Sequence, residues 1–266
     1  MFHQMKPILR RGLGLLLLVA CMILWSFTLG MSRRALRTRT CQGKGTLDVI
    51  VTDSSQRNFV GREDIELWLD SEYRAYAGLP LDSVDLTRIE SIVTGHSAVK
   101  HCEAWLTDDG ILHVELSQRE PLVRFDDGAG GFYADSEGFI FPLQDRGGAT
   151  VPVVGGKLPF RLPKGYKGML ENPLHKEWME RILNFVASLK GTVWETNIGR
   201  ITADGDGDLV LQPIEGKERF LFGQPVRVDE KLYLMGRYYD TVVPSKAPGY
   251  YGTVDLRYAG QLICRK

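Results

Sequence analysis

This sequence has no excess charge of either sign. Its 33 Lys and Arg balance its 33 Asp and Glu, so the formal net charge is zero. A nucleic-acid binder carries a basic stripe on its folded part, and none is found here; Arg33, Arg34, Arg37 and Arg39 cluster, but beside a long apolar run. Cysteine is scarce. Cys21, Cys41, Cys102 and Cys264 form no C-x-x-C pair, so neither a zinc site nor a thioredoxin-type redox site is signalled. They read as small packing residues, with a disulfide at Cys41 or Cys264 left open. There is no low-complexity tract and no fixed-period repeat. The sequence lacks a G-x-S-x-G elbow, a P-loop, a G-x-G-x-x-G after a strand and an H-E-x-x-H helix, which removes the best-marked hydrolase, nucleotide and zinc-protease chemistries.

Two weaker chemical signals dissolve on inspection. Asp204-Gly-Asp-Gly-Asp208, with Glu215 at the twelfth position, has acids where a calcium loop wants them, but Leu209 stands where that loop needs glycine. A β-turn accounts for the same composition. The five histidines, His3, His96, His101, His113 and His175, show no clustered ligand spacing and read as surface or structural residues.

What is present begins with a long apolar run. Gly12 to Met31 is free of charge, and twenty residues at 1.5 Å each match a bilayer core of about 30 Å. Trp25 and Phe27 lie near its far end, where an interfacial aromatic belt would sit. The run exceeds a signal-peptide core and no A-x-A-like site follows, so an uncleaved anchor is expected. Lys6, Arg10 and Arg11 precede it and four or five basic residues follow, a count that by itself would leave the larger part of the chain in the cytoplasm. This divides the start into a tail (1–11), a transmembrane helix (12–31) and a linker (32–45), with Thr38 to Gly45 a polar connector.

Residues 46–121 read as a β-α-α-β-β module. Leu47 to Val51 alternates as a strand. Ile65, Trp68, Leu69 and Tyr73 share one face of a helix over Gly61 to Tyr73. Asp85 caps a second helix carrying Leu86, Ile89, Ile92 and Val93, which stops at Gly95. A hairpin follows: Leu112, Val114 and Leu116 alternate with polar residues, and Asp108-Asp109-Gly110 supplies the turn. Pro121 ends this strand or makes it an edge.

Residues 122–266 have another texture. Phe132-Tyr133 and Phe139-Ile140-Phe141 flank a turn; Val151 to Gly155 is a short apolar stretch; His175 to Leu189 is the strongest helix. Short strands are expected at Ile198–Thr202, Leu209–Leu211 and Phe220–Phe222. Asp229 is placed as the cap of a helix with Leu232, Met235 and Tyr239, and one last strand runs from Tyr251 to Cys264. The fold class is therefore α+β: a single N-terminal transmembrane helix, the β-α-α-β-β module, then a mainly antiparallel β domain with one or two helices. With no catalytic constellation legible, an interaction protein is favoured, and the last strand is a candidate for β-augmentation.

These pieces together resemble the bacterial division proteins FtsQ and DivIB, most of all Bacteroidetes-type members. Gly78-x-Pro-Leu, the Val99 strand and His113-Val-Glu-Leu-Ser-Gln-Arg-Glu-Pro121 look like the family's POTRA module. Tyr133-x-Asp-x-x-Gly138, Phe141-Pro-Leu143 and Val151-Pro-Val-Val-x-Gly156 look like the opening of its β domain. Gly223, Lys231-Leu-x-Leu234 and Asp255-Leu-Arg-Tyr258 resemble its closing segment. The resemblance implies a POTRA domain (46–121) and an FtsQ-type β domain (122–266), with the N-terminus in the cytoplasm and the bulk in the periplasm at the septum of the inner membrane. It implies a non-enzymatic scaffold without cofactor, catalytic residue or metal, whose partners are FtsB- and FtsL-like coiled-coil proteins and, through the POTRA module, other division proteins. Partner contact is then expected along the last strand, at Tyr251, Val254, Leu256, Tyr258, Gly260, Leu262 and Ile263, with Tyr258 closing the Asp-Leu-Arg-Tyr segment. The chain ends Ile263-Cys264-Arg265-Lys266, without the aromatic that some members carry there. The alternatives are an outer-membrane POTRA transporter or another POTRA protein of envelope assembly, and a membrane-anchored periplasmic enzyme. The transporter is disfavoured because about 145 residues follow Pro121, too few for sixteen strands of 9–11 residues with loops.

Overall fold

A computed structural model describes residues 17–31, 39–43, 45–52, 59–126, 128, 130–144, 146, 148–246 and 249–266. Residues 17–31 form a helix, α1, exposed along its length. Among the described residues no helix is long and apolar enough to cross a membrane. The expected tail, the first residues of the expected span (12–16), Arg33, Arg34, Arg37 and His3 lie outside them. The chain divides into two compact units: Met1–Asp53 with Val60–Ser117, and Ser54–Phe59 with Gln118–Lys266.

The first unit holds β1 (Asp48–Val51), α2 (Arg62–Glu72), α3 (Leu86–Thr94), β2 (Val99–Leu106) and β3 (Leu112–Gln118). Its sheet order is β1-β3-β2, with β1 parallel to β3. Local chemistry sets each boundary. The Asp64 carboxylate accepts from the Gly61 N–H at the start of α2, and the Asp85 carboxylate accepts from the Arg88 N–H at the start of α3. Ile65 and Leu69 from α2, with Ile89, Ile92 and Val93 from α3, are buried, as are Leu112, Val114 and Leu116 on alternate positions of β3. Gly110, at φ 88°, turns the hairpin, and a Cβ there would lie 2.4 Å from the Thr40 carbonyl. That close approach belongs to a docked segment: the Cys41 N–H donates to Leu79 O and the Gln42 N–H to Gly110 O. From Arg39 onward, then, the expected connector is part of this unit, with Cys41 buried in it.

The second unit is built on one nine-stranded sheet. Its strands are β4 (Pro121–Asp126), β5 (Phe132–Asp135), β6 (Ile140–Pro142), β7 (Val153–Gly156), β8 (Ile198–Ala203), β9 (Leu209–Pro213), β10 (Arg219–Gly223), β11 (Thr253–Asp255) and β12 (Ile263–Arg265). They lie in the order β12-β11-β10-β9-β8-β7-β4-β5-β6. Pro121 is the first residue of β4, where a missing N–H is tolerated. The sheet is more mixed than expected: five pairings are antiparallel, but β4–β7, β7–β8 and β10–β11 are parallel. A parallel step needs a crossover long enough to hold a helix. The β7–β8 crossover carries α4 (Pro173–Leu189) and α5 (Trp194–Asn197), and the β10–β11 crossover carries α6 (Val228–Arg237) with a π turn at Tyr238–Val242. Among the described residues the unit therefore has three α-helices where one or two were expected, α5 being a single turn.

Those helices and one face of the sheet share a single core. Trp178, Ile182, Phe185 and Val186 from α4 join Phe125, Ile201, Leu211, Phe220 and Val254. Asn172 caps α4 through its side-chain oxygen, with Pro173 at the first helical position. The Trp178 Nε1–H donates to the Gly207 carbonyl at 2.9 Å, which pins the β8–β9 turn to this helix.

Candidate partner-binding edge

A sheet has two edges, and in the second unit they differ. On β6, Ile140 exchanges both backbone hydrogen bonds with Gly168, at 2.9 Å each, and Pro142 has no N–H to offer. That edge is closed. Among the described residues β12 pairs with β11 alone, and no strand lies on its other side. Arg265 and Lys266 charge its end, a common guard on an edge left open.

The expected single strand from Tyr251 to Cys264 is corrected here. Two three-residue strands, β11 and β12, are joined by a loop over residues 256–262. β11 is interior, parallel to β10 on one side and antiparallel to β12 on the other. The chain cannot stay extended because the Asp255 carboxylate accepts from the Arg257 N–H at 3.2 Å, drawing the backbone into a turn, and Gly260 takes φ 66°. The seven residues expected at the contact consequently separate. Val254 and Leu256 are fully buried in the core. Tyr251 and Leu262 are partly buried and pack against that core. Gly260 is exposed in the loop, Ile263 lies half-buried on the edge strand, and Tyr258 is 50% exposed on the loop leading to it.

Two ionic clamps hold the loop. Asp255 has no exposed side-chain surface, and Arg257 grips it in bidentate fashion, Nε to Oδ1 at 2.9 Å and Nη2 to Oδ2 at 2.8 Å. The Arg257 hydrogen bonds hold the Asp255 carboxyl below the usual carboxylate range and push the guanidinium higher still. Gly223 makes room for this pair, since a Cβ there would come within 2.7 Å of the Arg257 side chain. The second clamp comes from α6. Arg227, the residue before the helix, adopts left-handed φ 53° and donates from Nη2 to the Arg257 carbonyl at 2.9 Å. Glu230 accepts from the Gly260 N–H and pairs with Arg227 at 3.3 Å. Arg227, not Asp229, thus occupies the cap position. Lys231 is buried beside this corner, its ammonium donating to Phe222 O and Gln224 O at 2.7 Å each. Burial brings its pKa down to about 8.

The weaker chemical signals have structural occupations. Asp204 Oδ1 accepts from the Asp206 and Asp208 N–H groups, and Asp208 accepts from Gln224. These acids build the β8–β9 turn. His113 pairs with Asp48 at 2.9 Å and stacks on Trp105, and His96 stacks on Trp68. Among the described residues no group of three or more His, Cys, Asp or Glu converges as a metal site.

Comparison with known families places this edge in context. Residues 120–265 match the family described as FtsQ/DivIB, C-terminal related, which is more than half of the chain. The chain belongs to the FtsQ/DivIB family. Residues 40–117 match the POTRA-like domain, a stretch that holds β1 to β3 with α2 and α3 of the first unit. No curated protein matches the chain. The family match runs from the residue before β4 to the end of β12, so both edges of the second sheet lie within it. The sequence pattern pointed to Tyr258 and Ile263. It did not point to Arg227 and Glu230, whose hydrogen bonds to the loop span thirty residues of chain.

Proposed function

We propose that this member of the FtsQ/DivIB family is a non-enzymatic, membrane-anchored scaffold of the division septum, and that it captures a strand of an FtsB-like partner on β12. Residues 12–31 anchor it in the inner membrane, with residues 1–11 in the cytoplasm and both units in the periplasm. FtsB- and FtsL-like coiled-coil proteins are its partners, and through them it regulates septal peptidoglycan synthesis. The POTRA domain (46–121) recruits other division proteins.

The observation that carries this reading is the asymmetry of the two edges. β6 is closed by Gly168 and Pro142, while β12 is left open beside the half-exposed Tyr258. Added backbone hydrogen bonds give affinity to such a site, and the neighbouring side chains give specificity. Ile263 and Tyr258 are the two that an incoming strand meets.

The test is a pull-down from membrane extract with the detergent-solubilised full chain and its Tyr258→Glu variant. Small single-span coiled-coil proteins should be recovered by the first and lost by the second, with both folded by circular dichroism. The same partners on both would remove Tyr258 from the contact, and no such partner on either would refute the scaffold. Deleting the POTRA domain should abolish septal localisation while sparing recovery of the coiled-coil partners.

A further inference from the structure

The chain enters the first unit through a strap, residues 39–43, held between two turns. On one side the Leu81 N–H donates to Arg39 O at 3.2 Å, the Cys41 N–H to Leu79 O at 2.9 Å and the Gly78 N–H to Cys41 O at 2.9 Å. On the other, the Gln42 N–H donates to Gly110 O at 2.9 Å, Arg39 Nη1 to Asp108 O at 3.0 Å and Gln42 Nε2 to Asp109 O at 2.6 Å. Behind the strap, β1 lies parallel to β3, in a register that runs from Asp48 opposite His113 to Val51 opposite Leu116. Side chains tie the same two strands together. His113 Nδ1 pairs with Asp48 Oδ2 at 2.9 Å, and Thr52 donates to Leu116 O from both its N–H and its hydroxyl, at 3.0 Å each.

Direction decides what each set of bonds can carry. Tension drawn from the N-terminal side reaches Arg39 first, then Cys41 and Gln42. The strap bonds are met one after another, so they peel. β1 is placed differently. Parallel strands start at the same end of their ladder. The chain enters β1 at Asp48, near the β2–β3 turn, and leaves β3 at Gln118, the far end. The same tension therefore drags β1 and β3 in opposite directions along their common axis. It loads every bond of the ladder, and the ties at Asp48 and Thr52, at the same time. Bonds that share a force each feel a fraction of it, so this ladder outlasts bonds that are taken singly.

We propose that the first unit is a tension link, in which the strap peels while the β1–β3 ladder holds. Peeling frees eight residues, 39–46, and so lengthens the chain by at most about 27 Å. It leaves the core of Ile65, Leu69, Ile89, Leu112, Val114 and Leu116 closed. Slack is taken up before the fold itself is strained. The source of the tension rests on the scaffold reading, an anchor at 12–31 drawn against a partner held by the second unit. The strap and the ladder require neither.

Magnetic tweezers holding the detergent-solubilised full chain by its two ends give the test. At constant force, a reversible step no longer than about 27 Å should come before a step of about 200 Å, the release of residues 47–117. The Arg39→Ala/Gln42→Ala variant removes the strap side chains that reach the β2–β3 turn. It should bring the short step forward and leave the lifetime before the long step unchanged. The Asp48→Ala/Thr52→Val variant removes the two side-chain ties. It should keep the short step and shorten that lifetime at least about tenfold. Circular dichroism without force should match wild type for both. A long step with no short step before it would overturn the proposal. So would a strap variant that shortens the long step's lifetime, or a β1 variant that leaves it unchanged. A pull-down that recovers no coiled-coil partner would refute the scaffold without altering either step, so the two readings fail separately.

Discussion

Arg119 and Asp135 form a shielded ion pair, Nη1 to Oδ2 at 2.9 Å, with the guanidinium laid over the Phe139 ring at 3.5 Å. The other Asp135 oxygen accepts from the Glu137 and Phe139 N–H groups, so one carboxylate ties the entry to β4 to the β5–β6 turn. Arg119 comes from the Gln-Arg-Glu-Pro stretch and Asp135 from the Tyr-x-Asp-x-x-Gly stretch. Two motifs that read separately in sequence are one contact in space.

Removing the two partners should not be equivalent. Asp135→Ala strands a buried guanidinium and two backbone donors, and should cost about 3–5 kcal/mol. Arg119→Met keeps the stem over Phe139 and leaves the carboxylate its two N–H donors. Its cost should be the smaller of the two, because the stranded carboxylate keeps those hydrogen bonds while the stranded guanidinium would keep none from Asp135. Urea unfolding of the second unit, followed by tryptophan fluorescence, gives both values. Equal losses would show that the ion pair, and not the backbone hydrogen bonds, sets the stability of this corner.

Lys231 makes stability depend on pH in a definite direction. Its folded pKa, about 8, lies below that of an unfolded lysine, so the unfolded chain binds more protons between pH 8 and about 10.4. The penalty of burying the charge is fully present below pH 8 and is relieved as pH rises through that window. Tyr238 acts in the opposite sense: burial raises its pKa to about 12, so its contribution is lost above pH 10. Lys231→Met isolates the first effect. Wild type should gain stability relative to this variant between pH 7 and pH 9.5, measured by urea titration at each pH. A difference that stays flat or shrinks would mean that the ammonium stays charged throughout.

Glu230 is expected to control the loop rather than the fold. It is partly exposed and accepts from the Gly260 N–H, so Glu230→Ala should cost only about 1 kcal/mol of global stability. The Gly260 amide should nonetheless exchange at least about tenfold faster, because the bond that protects it is gone. Hydrogen exchange read by mass spectrometry over residues 256–262 checks this. Unchanged exchange there would assign the loop to the Asp255–Arg257 pair alone.

Sequence pattern carried the first unit further than the second, for physical reasons. Alternation in Leu112, Val114 and Leu116, the Asp-Gly turn and the Asp85 cap are local signals, and the elements lie where those signals put them. α4 was legible because seven buried side chains recur along one stripe. The last strand was misread because Tyr251 to Cys264 is apolar enough for one strand, while its break depends on a short-range bond from Asp255 and on clamps from α6 thirty residues away. The parallel pairings share that obstacle, since each exists only once the register of several short strands is known.

Gly156 offers the sharpest test of the mixed sheet. It ends β7, opposite Ala203 on β8, with φ 93°. A Cβ there would lie 2.4 Å from the Ala203 carbonyl oxygen, which also accepts from the Lys157 N–H. Neither strand can give way cheaply, because β7 is held in parallel pairings on both sides. Gly156→Ala therefore adds a backbone clash to the ordinary strain of a left-handed residue and should cost well above about 2 kcal/mol. Gly165 is the control: its φ is 77°, but an added Cβ meets nothing within 4 Å, so Gly165→Ala should cost only about 1–2 kcal/mol. Denaturant midpoints of the two variants order the effects. If Gly165→Ala proved as costly as Gly156→Ala, φ alone would explain both, and the tight β7–β8 approach would carry no weight of its own.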